Sequence, residues 1–263
     1  MNMSFALAAG GTAAGFLAGM FGIGGGALVI PILIYIYRDA GLNPTEGIRL
    51  AFGTSLATMA FTGLSSYLSQ RRRANVDAVW LRKLFWPAGI GATCGAVLAS
   101  HIPGIWLALG LSAMLAWFGV NLVFRQERPS SQSTVLLRFH SLAGFFSGVA
   151  YALAGMGGAS VVTFYLTHVG LPLRRAIGTA TGVILPISVG AIIGFGVTAG
   201  WPHGWRWGYI DLHALLVMSL CSIVAARLGV KAAAALPTHR LRRAFGLFMV
   251  ALSIRTVVTV FTG

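Results

Sequence analysis

A glycine-rich break interrupts a long apolar run twice in this chain, as GFLAGMFGIGGGALVIP from Gly15 to Pro31 and as GFFSGVAYALAGMGGASVVTF from Gly144 to Phe164. Apolar runs of this kind belong in a bilayer, and irregular backbone is tolerated at bilayer depth only where protein buries it or a wet cavity hydrates it. Paired breaks in equivalent halves point to a substrate site, so the simplest reading is a transporter. Composition agrees, because 57% hydrophobic against 9% charged residues leaves too little polar surface to solubilise a globule of 263 residues. In a soluble chain, 19 Lys and Arg against 5 Asp and Glu would suggest nucleic acid. Here the basic residues cluster between apolar segments and read as topology signals, so the expected partner is the lipid bilayer and not nucleic acid. Cys94 and Cys221 lie in separate apolar stretches without CxxC spacing, which predicts buried free thiols.

Apolar runs predict helices over 4–21, 24–37, 46–69, 79–101, 104–125, 138–154, 157–169, 175–199, 209–236 and 238–262. The expected fold is an all-α integral membrane protein of two five-segment repeats, residues 1–125 and 138–263, each containing a Gly-rich broken or re-entrant helix hairpin. The polar stretch RQERPSSQST, from Arg125 to Thr134, marks the inter-repeat linker, placed at 126–137. Asp77, Gly95 and Pro103 recur at the same mutual spacing as Asp211, Gly229 and Pro237, and GTS at 53–55 pairs with GTA at 178–180, each after an Arg, Arg49 or Arg174. An odd number of segments per repeat sends the second copy in from the opposite side, so the repeats are expected to be inverted. All but Arg38, Arg49, Arg206 and Arg255 of the 19 basic residues fall on one side, which places that side in the cytoplasm and both termini in the periplasm. Trp201, Trp205 and Trp207 then anchor the outer interface. No cleavable signal is evident, and the N-terminus is expected to be retained.

The segments 24–37 and 157–169 reach roughly 20 Å at 1.5 Å per residue, too short to cross a hydrocarbon core of about 30 Å. Their first turns, 25–27 and 158–160, would present unpaired N–H groups and a positive dipole end near the midplane, which attracts an anion. Glycines there let an oxyanion approach the backbone, and Thr54, Ser55, Thr179 and Thr181 offer hydroxyls from neighbouring helices. Those hydroxyls could equally return hydrogen bonds to their own helix. Gly11, Gly15 and Gly19 form a small-xxx-small stripe that reads as packing, inside the chain or in a homodimer. GIGGG lacks the GK[ST] of a nucleotide loop. Asp39, Glu46, Asp77, Glu127 and Asp211 all fall at segment ends, which argues against a carboxylate proton relay. The histidines also lie near ends, and no metal site is expected. Asn121 has no evident role.

The paired breaks, the GTS and GTA helices after an Arg, and the closing pattern GVKAAAALPTHRLRRAFGLFMV from Gly229 to Val250 resemble the TauE/SafE family of sulfite and organosulfonate exporters over nearly the whole chain. That resemblance implies a bacterial inner-membrane permease moving sulfite, sulfoacetate or a related organosulfonate, usually outward; with no nucleophile and base pair, metal set or redox cysteine pair in the sequence, neither enzymatic activity nor a cofactor is expected. It also implies a central anion site formed by Gly24, Gly25 and Gly26 with Thr54 and Ser55, and by Gly157, Gly158 and Ser160 with Thr179. The second copy departs from the first by four extra residues before Gly155 and by Ala159 in place of Gly26. Alternating access is the expected mechanism, driven by the membrane potential; an anion channel with the glycine loops as a fixed filter is the alternative.

Overall fold

The computed structural model describes residues 3–21, 26–124, 139–155, 158–198, 205–234 and 238–261. Ten helices run through them: α1 (Met3–Phe21), α2 (Gly26–Asp39), α3 (Pro44–Arg72), α4 (Ala78–His101), α5 (Gly104–Phe124), α6 (His140–Ala154), α7 (Gly158–His168), α8 (Leu173–Thr198), α9 (Leu212–Ala234) and α10 (Thr238–Phe261). The all-α expectation holds, and one expected helix limit is corrected. A two-stranded antiparallel hairpin, β1 (Arg206–Trp207) and β2 (Ile210–Asp211), precedes α9, so the expected helix 209–236 begins three residues late. Gly208 carries φ 60° in its turn, a left-handed conformation that a residue without Cβ adopts at little cost. The linker 126–137 lies outside the described residues.

α2 and α7 have 14 and 11 residues, so at about 1.5 Å per residue neither reaches the ~30 Å of a hydrocarbon core. Each leans on longer neighbours, α2 on α3 and α1, and α7 on α8 and α6, while Tyr35 and Phe164 stay exposed. α1 packs along α9, α6 along α4, α5 along α10, and α3 against α8. Two of these pairings depend on missing side chains. A Cβ at Gly11 would come within 2.8 Å of the Met218 backbone, one at Gly15 would meet the Ser222 backbone, and the Ser222 hydroxyl donates to the Gly11 carbonyl at 2.9 Å. On the other pair, Gly148 faces the Ala88 carbonyl and Gly95 lies 2.8 Å from the Val149 Cα by the same measure. Close backbone approach of this kind is how membrane helices gain van der Waals contact without a hydrophobic driving force between them. Gly11 and Gly15 of the small-residue stripe are thereby used inside the chain.

The outer surface is apolar. Trp86, Phe146, Val197 and Leu220 are each more than 60% exposed, as lipid-facing side chains are. This surface also corrects the expectation for the cysteines: Cys94 is exposed on α4 and Cys221 half-buried on α9. In an apolar solvent a thiol gains nothing by facing inward, so an apolar run does not tell which of its members are buried. Asn121 donates Nδ2–H to the Trp117 carbonyl at 2.7 Å, which satisfies a polar side chain within its own helix.

Candidate functional site

The interior is centred on α3, whose residues 50–59 are buried on every face. Thr54 and Ser55 lie there, both fully buried, and Thr179 occupies a corresponding buried position on α8. Gly26 and Gly158 open α2 and α7, and Ser160 lies in the first turn of α7. Gly24, Gly25 and Gly157 lie outside the described residues.

The two breaks approach one another through their flanks. α6 ends at Gly155, which adopts φ 66° and donates its N–H to the Tyr151 carbonyl at 2.9 Å, a left-handed helix stop. A Cβ added there would strike Ile30 of α2 and come within 3.0 Å of Phe52 of α3. One turn back, the buried Tyr151 hydroxyl donates to the Met59 sulfur of α3 at 2.6 Å. The head of one short helix, the tail of the helix preceding the other, and the middle of α3 thus share one region.

Thr54 and Thr179 have matching partners. The Thr54 hydroxyl oxygen accepts the backbone N–H of Asp211 at 2.9 Å, and that of Thr179 accepts the backbone N–H of Asp77 at 2.9 Å. Each aspartate caps the helix that follows it. Asp77 accepts from the N–H groups of Val79 (3.0 Å) and Trp80 (3.1 Å), and Asp211 accepts from that of Ala214 (3.0 Å). Such caps satisfy donors that the first helical turn would otherwise leave unpaired. The neighbouring glycines repeat the pattern, with Gly53 against the Tyr209 carbonyl and Gly178 against that of Asn75. A threonine from each half therefore holds an aspartate-capped loop of the other. The two brackets differ in depth, since Asp211 is buried and also accepts from the Tyr37 hydroxyl at 3.2 Å, whereas Asp77 is half-buried. Thr181 donates to the Gly178 carbonyl of its own helix at 2.7 Å.

Sequence reasoning used Asp77 and Asp211 as repeat landmarks and passed over their capping role, although an acid directly before an apolar helix is an N-cap signal. It also read Arg49 as a charge on the outer side. The structure gives its guanidinium more to do: Nε and Nη2 donate to the Ile102 carbonyl at 3.2 and 3.0 Å, and Nη1 donates to the Tyr209 hydroxyl at 3.2 Å. Arg49 thereby ties α3 to the α4–α5 connection and to the hairpin before α9. Lysine cannot reproduce that fork. Arg49→Lys is expected to cost about 1–2 kcal/mol and to lower the unfolding temperature of the purified protein by roughly 2–8 °C. An unchanged melting curve would show the fork to be idle. Tyr37, Met59 and Tyr151 carry no sequence signal that separates them from core residues.

An apolar-surfaced helical bundle with two short helices and two exchanged brackets between its halves fits a multi-pass membrane protein of the transporter class. The chain belongs to the TauE/SafE family, since the family described as "Sulfite exporter TauE/SafE" matches residues 7–256. Its relatives include a "probable membrane transporter protein" of Haemophilus influenzae, 28% identical over 257 residues that cover 93% of this chain and 94% of the relative. A protein so described from Methanocaldococcus jannaschii is 26% identical, covering 82% and 81% of the two chains, and YdhB of Bacillus subtilis is 30% identical, covering 79% and 82%. No solved structure matches the chain.

Proposed function

We propose that this membrane transporter carries a small sulfur-containing oxyanion, such as sulfite or an organosulfonate, between the opposed heads of α2 and α7. The observation that carries the reading is the reciprocal bracket. Thr54 holds the loop before α9 while Thr179 holds the loop before α4, at equal distance and in equal chemistry. A pair of exchanged contacts is what two repeats related by a pseudo-two-fold axis would make, and inverted repeats place their substrate at the axis. The short helices bring positive dipole ends to that place. A threonine oxygen engaged as an acceptor still has a proton to donate, and because Gly53 packs near Phe195 and Gly63 near Ile184, Thr54 and Thr179 stand toward opposite ends of the antiparallel α3–α8 pair, where each serves its own loop on either side of the anion's place.

The repeats then exchange inward-open and outward-open shapes, and the anion leaves a bacterial cell across its inner membrane. A single negative charge driven out by a potential of 100 mV, negative inside, gains about 2.3 kcal/mol, close to a fortyfold gradient, so export needs no coupling carboxylate. The richer basic side faces the cytoplasm, with both termini in the periplasm.

Reconstituted vesicles loaded with sulfite, sulfoacetate, taurine, sulfate and carboxylate analogues test this directly. Saturable, potential-dependent flux is expected for sulfur oxyanions, with a loss of tenfold or more when Gly158→Val blocks backbone approach at the head of α7. Flux indifferent to potential, or equal for carboxylates, would overturn the assignment. Large unitary currents would establish a channel instead.

A further inference from the structure

Away from the centre, α2 and α10 enclose a groove of about 130 Å³ with apolar walls that include Pro31, Ile32 and Leu252, and with Arg255 at its edge. Arg255 is exposed six residues before the end of α10, about 9 Å along the axis at 1.5 Å per residue, and so within a membrane-spanning helix. A cation at that depth is costly unless something answers its charge. Among the described residues no carboxylate does, and its guanidinium carbon lies 5.3 Å from the centre of the Tyr35 ring. Arg38, in the last turn of α2, donates to the Thr259 carbonyl at 2.9 Å, so the ends of α2 and α10 share one membrane face. Among the described residues at these two helix ends, Arg38 and Arg255 against Asp39 leave one net positive charge.

We infer that the α2–α10 groove is a binding site for an anionic phospholipid, with an acyl chain along the apolar wall and the phosphodiester on Arg255. The charges match, because a phosphatidylglycerol headgroup carries one negative charge and a guanidinium presents paired donors to phosphate oxygens. The length also fits, since an arginine side chain reaches from inside the hydrocarbon toward headgroup level while its stem stays in apolar surroundings. Basic pockets between membrane helices recognise lipid headgroups in this manner. Such a lipid would join α2, which is too short to anchor itself across the bilayer, to a helix that spans it.

The test is native mass spectrometry of the full chain in neutral detergent, with phosphatidylglycerol and phosphatidylcholine of identical acyl chains, alongside thermal unfolding with each lipid or with inorganic phosphate. The parent protein is expected to retain phosphatidylglycerol preferentially, Arg255→Gln to retain it about fivefold less, and Arg255→Lys, which keeps the charge without the paired donors, to fall between the two. Leu252→Trp, which fills the groove and leaves the charge in place, is expected to lower retention of both lipids, and decides the matter if Arg255→Gln is not recovered folded. Equal retention of the two lipids by the parent, full retention by both Arg255→Gln and Leu252→Trp, or equal stabilisation by inorganic phosphate would overturn the site.

Discussion

Asp211→Ala is expected to lower the unfolding temperature of the purified protein by roughly 6–12 °C, against roughly 2–4 °C for Asp77→Ala. The two aspartates occupy corresponding places, and the difference comes from their surroundings. Removing either carboxylate deletes a helix cap, a loss of about 1 kcal/mol. At Asp77 one freed N–H is on the exposed Val79 and the other on the largely buried Trp80, in a turn that water reaches through Asp77 and Val79. At Asp211 the orphans are the Ala214 N–H and the Tyr37 hydroxyl, on residues that are 0% and 1% exposed. A buried donor left without an acceptor costs about 1–3 kcal/mol, which brings the total at Asp211 to about 3 kcal/mol. Tyr37→Phe in the Asp211→Ala background should recover part of the loss, because it removes one orphan. Equal shifts for the two alanine variants would mean that depth does not distinguish the brackets.

The second large effect is expected from Gly148→Val. A Cβ at Gly148 collides with the Ala88 carbonyl and lies 2.6 Å from the Ala92 nitrogen, both backbone atoms of α4 that have no rotamer through which to yield. α6 must therefore lift off α4, and the contacts of Gly91 and Gly95 on the same seam go with it. The expected cost is about 3 kcal/mol, at the upper end of what overpacking produces. Gly110→Ala is the control. Nothing lies within 4 Å of that position, and the change is expected to cost nothing and to gain up to about 1 kcal/mol, as alanine does for glycine inside a helix. Intrinsic fluorescence melts of the two variants check both numbers. α6 also carries Tyr151 and ends at Gly155, so a Gly148→Val protein that folds should lose transport out of proportion to its stability.

The helices were legible because each is a long apolar run ended by charge, glycine or proline, and all ten appear within a few residues of their expected limits. The hairpin at 206–211 was not, since strands of two residues contain no alternation to read and the apolar run continued unbroken into α9. The brackets were half visible. Equal spacing marked Asp77 with Asp211, and the glycine motifs marked position 53 with 178, but nothing local says that the first half's threonine meets the second half's aspartate. That fact belongs to packing between segments more than 100 residues apart. The cysteines went astray because hydropathy identifies a membrane segment without saying which of its faces meets lipid.

The pairing of α1 with α9 and of α6 with α4 bears on how the protein is made. Each half lends its first helix to the other, so neither half completes its own packing while it is alone. Gly11 finds Met218 only after the ribosome has added roughly 200 further residues, which at about 5–20 residues per second takes on the order of 10–40 s. For that interval α1 sits in the membrane with its glycine seam uncovered. A chain truncated before α9 would leave that seam unmatched permanently, presenting the quality-control proteases of the membrane with an unpaired helix.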